Sequence, residues 1–194
     1  MPSELHIAYF AYLIWLSAGL ADFACHWRSD LPHTSGVAES AAHLVQLLLL
    51  AIAIVLGLAF RMNSLCALLV GVLVALHAVV GYVDTWFAFH RGRTVSPVEQ
   101  HIHSILDMAP PIALAWWIVT TWPAAIAGDW ALGLRQPGLG WEAWGLVLAP
   151  AAMLCTLPAL WEFRAAWKAR RRDRTPSPSR ATGKRVQRGT PWEV

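Results

Sequence analysis

The chain has 194 residues, 57% of them hydrophobic and 14% charged, with a formal net charge of +3 and a mean hydropathy of +0.46. A soluble domain of ordinary composition carries about 25% charged residues, so a single water-soluble core is excluded and lipid is the expected solvent for much of the surface. Nucleic acid is not an expected partner either: nine of the fifteen Lys and Arg residues lie between Lys168 and Arg188, which makes a basic tail and not a folded basic patch.

A bilayer core takes about 20 apolar residues in helical form. The first such run is Ile7–Cys25; the stretch Met1–His6 before it holds Glu4 and no Lys or Arg, so a retained helix is expected and not a signal peptide. Further runs follow at Val37–Phe60, Leu65–Phe89, Val98–Trp122 and Trp141–Trp161, the last interrupted by Pro150 and Pro158 and therefore expected to be kinked. The connections carry turn chemistry: RSDLPHTSG at Arg28–Gly36, RMNS at Arg61–Ser64, RGRTVS at Arg91–Ser96, and four Gly and a Pro within Gly128–Gly140. The expected fold is an all-α integral membrane bundle of about five transmembrane helices over residues 1–167, followed by a disordered basic tail over 168–194. Cys25, Cys66 and Cys155 are scattered with no C-x-x-C pair, so neither disulfides nor a thiolate site is expected.

Positive charge sets the expected orientation. With five spans, Arg28, Arg91, Arg93 and the tail share one side, and only Arg61 and Arg135 fall on the other. That places the tail and the first and third loops in the cytoplasm of a bacterial inner membrane, with the N-terminus outside.

Ionisable residues inside lipid are costly, so each one is a functional candidate. Asp22 and His26 end the first helix, four residues apart; Glu39 and His43 begin the second at the same spacing. His77 and Asp84 lie seven apart in the third, and Glu99, His103 and Asp107 begin the fourth at one-turn intervals. These spacings put each set on one helical face, and alternating topology brings all four sets to one side of the membrane. His77 and Asp84 stand about 10.5 Å apart along the axis, so they serve two metals or two layers of one site. Ser96-Pro97-Val98-Glu99 also forms a capping box, a purely local role open to Glu99. His101 faces away from Glu99 and His103, His33 and His90 fall in loops, and Tyr82 is a candidate donor near the site.

Imidazoles with carboxylates suit iron, zinc or manganese. Two metal ions are expected at Asp22, His26, Glu39, His43, His77, Asp84, Glu99, His103 and Asp107, iron first and zinc as the alternative, much as ferritin-like bundles use carboxylates and His from four helices. The stretch SPVEQHIHSILDMAP at Ser96–Pro110, with GVAESAAHLVQ at Gly36–Gln46 and the Asp22/His26 pair, resembles a family of small, uncharacterised bacterial membrane proteins, which implies no activity. The ligand logic is similar to that of membrane di-iron desaturases and hydroxylases, although their paired-His boxes are absent. The functional expectation is a di-iron oxidoreductase of oxygenase, hydroxylase or desaturase type, acting on a lipid-like or apolar substrate with an electron-donor protein. A zinc-dependent membrane hydrolase, a bis-His haem protein and a metal or proton transporter are the alternatives.

Overall fold

The computed structural model describes residues 2–127 and 130–174. In chain order it holds α1 (Pro2–Arg28), a short 3-10 turn at Leu31–His33, α2 (Val37–Ala59), α3 (Ser64–His90), α4 (Pro97–Ala127), α5 (Trp141–Ala151), a π-helical turn (Ala152–Thr156) and α6 (Leu157–Arg174). The fold is an all-α bundle, and five of its helices, counting Trp141–Asp173 as one, are long and apolar enough to cross a membrane. The chain is accordingly a multi-pass membrane protein. Large side chains such as Leu48, Val72, Ile112 and Met153 point outward, as lipid-facing residues should.

Local chemistry starts the helices where the loops end. Asn63 caps α3 by accepting from the Cys66 amide at 2.8 Å. At α4, Ser96 Oγ accepts from the Glu99 amide at 3.2 Å, and Glu99 Oε2 faces the Ser96 amide at 3.4 Å, so the capping box forms. The α2–α3 pair is the most extensive in the bundle. It centres on Ala53, Cys66, Val70 and Val74, with Leu114 and Trp117 of α4 packed against them.

The fifth span differs from its expected form in two ways. The discontinuity is a π turn directly ahead of Pro158; a proline lacks the amide that an α-helix needs and crowds the carbonyl four residues back, and a widened turn accommodates both. The helix also does not stop at Trp167 but continues to Arg174. Ala166 and Ala169 are buried where α6 packs against the 3-10 turn, so tertiary contact carries the helix into the start of the basic segment. The rest of the expected disordered tail, 175–194, lies outside the described residues.

The α4–α5 loop folds back over the α2–α3 turn. Arg61 N donates to Gly133 O, and Arg135 N to Ala59 O, each at 2.9 Å. This closes one end of the bundle. The opposite end, where α1 meets α2 and α3 meets α4, carries the ionisable residues.

Candidate metal centre

Seven of the nine expected ligands converge at that opposite end. Asp22, His26, Glu39, His43, Asp84, Glu99 and His103 are all buried. Ligand atoms of Asp22, His26, Glu99 and His103 lie within 4.8 Å of one another, as do those of Glu39, His43 and Asp84. Metal–ligand bonds of about 2.0–2.2 Å place neighbouring donors about 3–3.5 Å apart. The separations here match: 2.9 Å from His103 Nε2 to Asp22 Oδ1, 3.3 Å from His26 Nε2 to Asp22 Oδ2 and 3.6 Å from His26 Nε2 to Glu99 Oε1.

The fifth span supplies a group that the sequence reading did not weigh. Glu162, buried on α6, stands 2.8 Å from His26 Nδ1 and 3.0 Å from His43 Nδ1, one carboxylate oxygen to each ring. The two imidazoles stack in parallel, centroids 4.6 Å apart and planes 4° apart. With both Nδ1–H groups donating to Glu162, both Nε2 lone pairs face the other carboxylates. His43 Nε2 is 3.2 Å from Asp84 Oδ2, and His26 Nε2 makes no hydrogen bond among the described residues although three carboxylates approach it. A carboxylate behind a ligating imidazole is the usual device for fixing its tautomer and orientation. All five spans therefore meet in one run of close approaches: His103 to Asp22, Asp22 to His26, His26 to Glu162, Glu162 to His43, His43 to Asp84.

A second unweighed residue closes the cluster from the loop side. Gly92, at φ +71°, turns the chain so that Arg93 folds inward, where it is buried. Its guanidinium spans both Glu39 oxygens and reaches Glu99 Oε1 and Ser29 Oγ. Burial pushes the Arg93 pKa down, but Glu39 and Glu99 outweigh burial and hold it above its ordinary value. Glu39 and Glu99 thus have a cationic partner, and Glu99 combines the expected cap with a place in the cluster.

His77 and Asp107 do not join this group. His77 is buried with Nδ1 unpartnered, and Asp107 is half-buried, against Gly81, where an added Cβ would lie 2.9 Å from its carboxylate. Both line a cavity of about 300 Å³ that adjoins the cluster, walled also by Trp15, Leu47, Leu50 and Leu106. The seven-residue offset from Asp84 is what carries His77 out of the cluster and onto this wall. His101 is exposed, His33 pairs with Asp30 at the surface and His90 stacks on Trp86. Tyr82 is 73% exposed, so it is no donor to the site.

Comparisons with protein-family models, with curated proteins and with solved structures find no match for this chain.

Proposed function

We propose that the protein is a membrane-embedded metalloenzyme whose cluster holds two divalent metal ions, iron first, and acts on an apolar substrate in the adjoining cavity. The observation that carries the reading is Glu162 orienting the stacked His26 and His43 so that both Nε2 atoms face carboxylates. Lone pairs opposed in this way repel unless positive charge lies between them. Charge balance favours metal as that charge. Among the described residues five carboxylates are buried, Asp22, Glu39, Asp84, Glu99 and Glu162. Arg93 offsets one of them, and two divalent ions offset the other four with every imidazole neutral. Protonating His26, His43 and His103 instead leaves one negative charge over, in a setting where a lone charge costs several kcal/mol.

Asp22, His26, Glu99 and His103 would hold one ion, and His43 with Asp84 would anchor the second. Two ferrous ions held there would supply the chemistry for reducing dioxygen. Hydroxylation then balances as RH with O₂, two electrons and two protons giving ROH and water. The electrons come from a donor protein, and lipid delivers both substrate and oxygen. If the metal is zinc, the reading becomes a hydrolase of an ester or amide, for which the ion would supply Lewis acidity. Haem is disfavoured at His26 and His43, because rings stacked on each other cannot lie on opposite faces of a porphyrin. The alternating imidazole–carboxylate run favours a proton relay as the second reading.

Metal analysis of detergent-purified protein tests this. About two irons per chain are expected, with product formation dependent on oxygen and reductant. Zinc alone, with no need for reductant, selects the hydrolase, and absence of bound metal after reconstitution selects the relay. We place the protein in a bacterial inner membrane with the N-terminus outside and the cluster end in the cytoplasm. Reporter fusions at each loop check that orientation.

A further inference from the structure

The cavity beside the cluster is partly open at the surface of the bundle. Most of the lining residues are buried or half-buried, but Ala51 of α2, Leu148 of α5 and Ala152 and Thr156 of the π turn are exposed while also forming the wall. The one other exposed lining residue, Thr85, is on α3. Packing explains the gap. α2 packs on the π turn and on α6, and α5 packs on α1, but α2 and α5 make no comparable contact. The two helices therefore part above the π turn. Gly19 helps to set this shape, since a Cβ there would meet Cys155 Sγ at 2.9 Å, so the π turn can lie close against α1.

Depth decides what stands outside. Ala51 is 14 residues beyond Val37 in a 23-residue span, about 21 Å along the axis, and Ala152 lies well inside the 33-residue fifth span. Both are at the level of acyl chains and not of headgroups. The lining between the exposed residues and the cluster includes Leu47, Leu50 and Ala151, all apolar.

We infer that the gap between α2 and α5 is a lateral portal through which a hydrocarbon chain passes from the bilayer to the face of the cluster formed by Asp22, His43, Asp84 and His103. This rests on the proposed function only in what happens to the chain after it arrives. The small side chains at Ala51 and Ala152 keep the portal open, so a large residue at either position closes it.

Photo-crosslinking tests the portal without knowledge of the substrate. The full chain is reconstituted in phosphatidylcholine vesicles containing a palmitic acid with a mid-chain diazirine, irradiated, and the labelled peptides are mapped by mass spectrometry. Labels are expected on cavity residues such as Leu47, Leu50 and Leu106. Ala51→Trp and Ala152→Trp should each reduce that labelling at least tenfold, while Ile52→Trp, one residue along on α2 and also exposed, should leave it unchanged. Metal content is measured on the same samples. Cavity labelling that is absent, or that persists through both portal variants, overturns the inference whatever the metal content. Portal-dependent labelling in metal-free protein upholds it and sinks the metalloenzyme reading instead.

Discussion

The two ends of the bundle close in opposite ways. Where the α4–α5 loop covers the α2–α3 turn, the bonds all run to backbone carbonyls: the Arg61–Gly133 and Arg135–Ala59 amide bonds, Asn63 Nδ2 donating to Ala131 O at 2.7 Å, and the half-buried Arg135 guanidinium donating through Nη2 to Gly57 O at 3.1 Å. Each such bond contributes about 0.5–1.5 kcal/mol. At the cluster end five carboxylates, three histidines and Arg93 are buried together. Desolvation costs several kcal/mol per ion, and well-packed apolar residues commonly do as well for stability. The loop-covered end closes with one half-buried guanidinium and, among the described residues, no buried carboxylate. The buried carboxylates at the cluster end are therefore better explained by chemistry than by folding.

The largest expected effect follows from removing the cluster's cation. Arg93→Met leaves Glu39 and Glu99 buried without their partner and should cost about 3–5 kcal/mol. Arg135→Met at the loop-covered end removes one hydrogen bond from a half-buried guanidinium and should cost about 1 kcal/mol. Thermal unfolding of both variants in detergent reads the contrast, and equal losses would erase the distinction between the ends.

Next comes ligand loss. His103→Gln is expected to insert and fold but to bind metal at least about 100-fold more weakly, the upper range for groups that only support a ligand. His101→Gln, on the exposed face, should bind as the parent does. Equal retention in the two would reduce the stripe on α4 to a cap and its polar neighbours.

Glu162→Gln is a milder change. The amide keeps the shape but has a single oxygen, so it accepts from only one Nδ1–H and loses its hold on the other ring. A fall in metal affinity of about tenfold is expected, with stability little changed in the metal-bound form. Titration calorimetry with ferrous or zinc ions measures it, and an unchanged affinity would mean that Glu162 does not orient the imidazoles.

The smallest effect belongs to the loop-covered end. Asn63→Ala removes the α3 cap and should cost about 0.5–2 kcal/mol with no change in bound metal. Loss of metal in this variant would mean that the two ends are coupled.

Five spans, their loops and the shared depth of the His and carboxylate pairs were legible in the sequence. Apolar run length and the three-to-four-residue period are local properties, and helices in lipid must satisfy their own backbone. Spacing also told which residues share a face, as with Asp22 and His26 or Glu99 and His103. It did not tell how far the cluster extends along a face, so His77 and Asp107 lay on the right side of their helices and still fell outside it. Glu162 carried no signal of its own: it is a lone carboxylate at the end of a span, with no His one turn away, and such residues are ordinarily solvated. Arg93 read as one more positive loop charge until Gly92 turned it inward. Both join the site only because α6 and the α3–α4 loop pack against helices distant in sequence. Burial then leaves each charge in need of a partner that only the tertiary structure supplies.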